Sequence, residues 1–108
     1  MNDDRIAING LLIDIECELR RLNAWEKALP PVEALSSTQP FAVDTLSFTQ
    51  WLQFIFIPKI RILVENEGAL PHKCDIAPMA EEYFRGQSLP ASELIQILKE
   101  IDRVIMQT

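Results

Sequence analysis

A chain of 108 residues that is 48% hydrophobic and 24% charged has the composition of one soluble globular unit, able to bury a core and too apolar to remain unfolded. Ten basic and sixteen acidic residues leave a net charge of −6, which opposes direct binding to nucleic acid and to anionic membranes. Two cysteines make no disulfide framework, and the acidic start Met1-Asn2-Asp3-Asp4 is the reverse of a secretory signal, so the expectation is a cytoplasmic single domain over residues 1–108.

The first helix is expected from about Asp3 to about Lys27. Ile8, Leu11, Leu12, Ile15, Leu19 and Leu22 recur at three- and four-residue spacing and form its core face. Asn2 or Asp3 suits the cap, and Pro30-Pro31 stops the helix. Ile6, Gly10, Ile13 and Cys17 form a second, narrower stripe on the opposite side. Two readings of this stripe stand: the loop after the helix folds back and covers it, or it is the interface of a homodimer or a partner.

Residues from about Ala28 to Leu46 read as a long ordered loop punctuated by Pro30, Pro31 and Pro40, with Phe41 and Val43 pinning it to the core. Ser47, with Gln50 three residues on, has the pattern of a capping box opening the second helix. From Phe48 to Val64 that helix is apolar nearly all round, which predicts a position at the centre of the bundle. Pro58 inside it predicts a kink or a split. The run Phe54-Ile55-Phe56-Ile57 stops at Pro58-Lys59, far short of the roughly twenty apolar residues of a membrane span. Gly68 is expected to end the helix.

A short third helix is expected from about Ile76 or Ala77 to Phe84, capped by Asp75 and ended by Gly86, with Met79 and Tyr83, and Phe84 as a further candidate, facing inward. The last helix is expected from about Pro90 to Met106, capped by Ser88, with Leu94, Ile97, Leu98, Ile101, Val104 and Ile105 as its apolar face. The predicted fold is all-α: a four-helix bundle with one short helix and a long ordered loop between the first two helices.

No catalytic constellation stands out. His72, Cys74 and Cys17 lack the paired spacing of a zinc site, so neither a metal nor a cofactor is expected. A Cys/His nucleophilic pair lacks a third group to orient it. Glu81 and Glu82 are adjacent on a helix and project about 100° apart, which reads as a solvated face. Asp44, Thr45, Gln50 and Gln53 lie among aromatic residues. They read either as caps and partners for buried backbone groups, or as the polar lining of a pocket. The pocket reading gathers Gln39, Phe41, Asp44, Thr45, Trp51, Gln53 and Pro58 around a ligand or partner.

Ser37-Thr38-Gln39-Pro40-Phe41, Asp44-Thr45, Trp51-Leu52-Gln53, Ile57-Pro58, Leu70-Pro71 and Ile76-Ala77-Pro78-Met79-Ala80-Glu81-Glu82-Tyr83 together resemble the YqcC family of small bacterial proteins. Lys59 departs from the arginine often found there, and a lysine offers no fork for a bidentate anion contact. The resemblance implies a helical bundle and an association with tRNA pseudouridine synthase C, whose gene commonly neighbours the family's. It supplies no catalytic residue: Asp44 stands in Val43-Asp44-Thr45, not in the synthase's Arg-Leu-Asp context. The leading expectation is a non-catalytic interaction module that binds a protein partner. The alternative is a small-molecule binder or enzyme using the pocket near Trp51 and Asp44.

Overall fold

The computed structural model describes residues 3–36, 45–71, 74–88 and 90–107, and among them the regular structure is helical with no strand. Helix α1 (Asp3–Arg21) buries Ile8, Leu12, Ile15 and Leu19 completely, as their spacing predicts. It ends six residues before Lys27, the end expected from sequence. Asn23 turns into the left-handed region at φ 60°, the Ala24 N–H bonds the Leu19 carbonyl at 2.8 Å and the Asn23 N–H bonds that of Arg20 at 3.1 Å. These two bonds define a Schellman cap, and asparagine tolerates the left-handed turn better than most side chains.

Among the described residues of the following loop, one turn of helix forms, α2 (Val32–Leu35). The next helical stretch opens with α3 (Phe48–Trp51), continues through a π-helical turn (Leu52–Phe56) and runs on as α4 (Ile57–Glu65). Pro58 therefore does not split the helix. A proline lacks an N–H and crowds the carbonyl four residues back. Here the Ile57 N–H reaches back to the Leu52 carbonyl, and this wider turn carries the helix into the proline with helical dihedrals at Phe56 and Ile57.

This stretch is not the surrounded centre of the bundle. One side, carrying Phe48, Leu52, Phe56, Ile57, Ile60 and Val64, is buried, while Pro58, Lys59 and Ile62 are exposed. The most extensive helix pair is instead α1 against α6 (Ser92–Gln107), with α4 packed on α1 and α5 (Ile76–Phe84) packed on α6. Apolar residues at nearly every position of 48–64 exceed what one face needs, and the surplus reaches the surface. α6 has the amphipathic face that the sequence predicts, burying Leu94, Leu98, Ile101, Val104 and Ile105. It starts at Ser92, where the Ile95 N–H takes the Ala91 carbonyl at 3.0 Å; Ser88 lies exposed upstream and is not its cap.

Arg5, near the start of α1, reaches across to the C-terminus of α4. Its guanidinium donates to the carbonyls of Leu63 at 3.0 Å and Gly68 at 2.6 Å, satisfying groups at the C-terminus of α4. That terminus is a second Schellman cap, with Gly68 N–H to Leu63 carbonyl at 2.8 Å and Glu67 N–H to Val64 carbonyl at 3.3 Å. The left-handed residue is Glu67, at φ 54°, and not Gly68. What favours glycine at 68 is space: a Cβ there would meet Leu63 Cδ2 at 3.0 Å. One hydrophobic cluster joins residues of all the longer helices.

Candidate functional site

The polar residues of the aromatic segment are engaged in holding backbone. The Ser47 hydroxyl accepts the Gln50 N–H at 3.2 Å while the Gln50 side chain accepts the Ser47 N–H at 2.9 Å, a complete capping box. Gln53 is buried, and its amide makes a closed pair with the peptide groups of Glu26: it accepts the N–H and donates to the carbonyl, both at 2.8 Å. The Thr45 hydroxyl donates to the Ala34 carbonyl at 2.7 Å. Capping and backbone satisfaction is thus the observed role of Gln50, Gln53 and Thr45.

The rings around them form a packed cluster. Trp51 is half-buried and lies 5.4 Å from Phe56 and 6.3 Å from Phe48, centroid to centroid. Phe48 meets Tyr83 at 5.6 Å and Phe84 edge-on at 6.4 Å. Such offset and edge contacts fasten α3 to α5. Of the expected pocket, Gln39, Phe41 and Asp44 lie outside the described residues, together with His72. Pro58 is exposed on the outer side of the helix, whereas Gln53 is buried and committed to Glu26.

The second stripe of α1 is open. Ile6 and Ile13 are each 57% exposed, and Gly10 and Cys17 are exposed with them. The described residues of the following loop do not fold over the stripe, as one expectation had it; residues 37–44 lie outside the described residues. The loop leaves α1 through the left-handed turn at Asn23 and is tied to Gln53 at Glu26, on the helix that packs elsewhere on α1.

The buried polar centre lies at Asp102, which sequence reasoning passed over. This carboxylate is 7% exposed within the apolar face of α6. Oδ1 accepts the Ile76 N–H and the Cys74 thiol, each at 3.0 Å, and Oδ2 accepts the Ala77 N–H at 2.8 Å. Asp102 therefore caps α5 from a different helix, whereas Asp75, the expected cap, makes no capping hydrogen bond. Burial, followed by the hydrogen bond to Asp102 and its charge, pushes the Cys74 thiol up. A thiol so held is a poor nucleophile, and the arrangement is structural. The signal was present: Asp102 falls four residues after Leu98 and three before Ile105, on the apolar face itself.

Among the described residues no group of three His, Cys, Asp or Glu side chains gathers as a metal site, and no helix is long and apolar enough to cross a membrane. A shallow concavity of about 340 Å³ lies between the end of α5 and the start of α6, lined by Glu81, Phe84, Arg85, Ala91, Ser92 and Ile95. Its one cation, Arg85, is paired with Glu82 at 2.8 Å.

A family model, DUF446, described as tRNA pseudouridine synthase C, matches residues 7–104. An uncharacterized protein of Haemophilus influenzae is 41% identical over 74 residues, covering 68% of this chain and 70% of the relative. The uncharacterized protein YqcC of Escherichia coli is 35% identical over 78 residues, with 72% and 70% covered. A protein of Pectobacterium carotovorum named tRNA pseudouridine synthase C is 36% identical over 76 residues, which is 70% of this chain but 20% of that protein. The solution structure of Escherichia coli YqcC superposes with a TM-score of 0.82 at 27% identity, covering 97% of this chain and 90% of that one.

Proposed function

The chain belongs to the DUF446 family, and from that premise we propose that it is a non-catalytic helical module that binds tRNA pseudouridine synthase C and assists tRNA modification in the cytoplasm. The observation that carries this reading is the match to the Pectobacterium protein of that name over a fifth of its length. A segment like this bundle thus occurs inside a longer polypeptide that bears the synthase's name. Two modules joined in one chain act at a high effective concentration, and a pair that works joined is a natural candidate to associate when separate. The described polar side chains favour a binding role, since Gln50, Gln53 and Asp102 are used to hold backbone. Both cysteines are free thiols, which fits a reducing compartment.

Calorimetry and co-elution of the full chain with the synthase test the reading. A 1:1 complex of micromolar affinity is expected; no heat and no co-elution at tens of micromolar, a weak-complex scale, rejects it.

The exposure of Ile6 and Ile13 favours a second association, a homodimer across the α1 stripe of Ile6, Gly10, Ile13 and Cys17. Light scattering of wild type and Ile13→Glu decides it. Dimer mass in the first and monomer mass in the second supports the homodimer, and monomer mass in both removes it.

A further inference from the structure

Leu29 and Val32 are the most exposed large apolar side chains among the described residues, at 74% and 75%, and two prolines stand between them. Pro31 holds φ −55° and ψ 149°, a polyproline II conformation. The Pro30 ring fixes its own φ, and each proline drives the residue before it to an extended ψ, so Leu29 and Pro30 are biased the same way. Polyproline II repeats every three residues, which places Leu29 and Val32 on one edge. Val32 opens α2, but helix and polyproline II share a φ near −65°, so its Cβ keeps that direction.

This short strap is anchored on both sides. Upstream, the Glu26 peptide is clasped by the Gln53 amide, and the Arg20 guanidinium lies 4.9 Å from the Trp25 ring. Downstream, Thr45 bonds the Ala34 carbonyl. An apolar edge that is held and preset loses little conformational freedom when it binds. Neither Leu29 nor Val32 belongs to the hydrophobic core cluster, so the bundle does not need them apolar.

We propose that Leu29-Pro30-Pro31-Val32 is the edge by which this module docks on the synthase, seated in a groove floored by aromatic side chains, the kind of surface that takes polyproline II ligands. Charge agrees with that partner. The exposed Glu26, Lys27 and Glu33 beside the strap leave it one negative charge, on a chain of net charge −6, and an enzyme that handles tRNA carries positive surface beside its binding sites. The proposal rests on the synthase reading and adds the contact surface to it.

The test is calorimetry of full-length chain against the synthase, with wild type, Leu29→Asp/Val32→Asp and Pro30→Ala/Pro31→Ala. All four positions lie outside the core cluster, and circular dichroism checks that each variant is folded. The aspartate pair is expected to weaken binding by about tenfold or more, the scale of a lost apolar anchor. The alanine pair keeps both anchors but loosens the strap, and is expected to weaken binding about threefold through lost preorganisation. Wild-type binding left unchanged by the aspartate pair overturns the strap while the synthase reading stands. Absence of wild-type binding overturns both.

Discussion

Asp102 Oδ2 accepts the backbone N–H of Ala77 at 2.8 Å, so a carboxylate on α6 closes the N-terminus of α5. With Ile76 N–H and the Cys74 thiol on Oδ1, three donors converge on one buried side chain. Asp102→Ala removes the cap and leaves two buried N–H groups without their acceptor, which is expected to lower stability by about 2–4 kcal/mol. Asp102→Asn keeps one acceptor oxygen for the Ile76 N–H and the Cys74 thiol but turns an NH₂ donor on the Ala77 N–H, so it retains about half of that loss. Urea unfolding of the three proteins measures it. A change under about 0.5 kcal/mol for alanine, the range of surface substitutions, shows that the cap is idle.

Cys74 and Cys17 are expected to separate by reactivity. Cys17 is exposed, whereas Cys74 is buried and its thiol is pushed above its ordinary 9.0. At pH 8 an alkylating reagent is expected to take Cys17 at once and Cys74 only as the bundle opens. Prompt reaction of both rejects the burial. The same shift sets a pH dependence. A thiol whose folded pKa is raised favours the folded state fully below its unfolded value. That contribution declines as pH climbs above about 9 toward the folded value, by at most about 1.4 kcal/mol per pH unit. Cys74→Ala is expected to flatten this alkaline decline, and an unchanged slope assigns it elsewhere.

Glu67 holds φ 54° at the Schellman cap of α4, a position where most side chains are strained and glycine is not. Glu67→Gly is expected to raise stability by about 0.5–1 kcal/mol, the relief of strain exceeding the freedom glycine adds to the unfolded chain. Asn23→Gly, at φ 60° in the cap of α1, is expected to give only a few tenths, since asparagine already tolerates the turn. Thermal melts of both compare them directly; a glycine at 67 that lowers the melting temperature reverses the argument.

Features written within a few residues of each other were legible in the sequence. The spacing of Ile8, Leu12, Ile15 and Leu19, the face of α6 and the Ser47–Gln50 box were read correctly because each is local. Both Schellman ends were missed or misplaced: Pro30-Pro31 was taken as the stop of the first helix and Gly68 as that of the second, while Asn23 and Glu67 hold the left-handed turns. Asp102 and Ile76, like Gln53 and Glu26, are partners only once the helices are packed, and no short-range pattern names the pair. The all-round apolar run at 48–64 misled for a related reason: composition shows how much of a helix is apolar, while its neighbours decide which side is covered.

Gln53 is the side chain that couples the bundle to the proposed docking strap. It is buried, and both hydrogen-bonding ends of its amide are taken by the peptide groups of Glu26, three residues before Leu29. Gln53→Leu keeps the volume and removes both bonds. Glu26 itself is exposed, so water reaches part of the freed backbone, and the expected loss is about 1–3 kcal/mol. The larger consequence is local. With its upstream anchor gone, the stretch from 24 to 31 is expected to open more often than the bundle unfolds, and limited proteolysis there should quicken by more than the global loss of stability alone would produce. Cleavage that tracks global unfolding would mean that the strap is held by Trp25 and the prolines and not by Gln53. Synthase binding should then fall in the Leu variant by no more than the fraction unfolded, whereas a strap anchored through Gln53 weakens it further because the ordered conformation must be re-formed at each docking event.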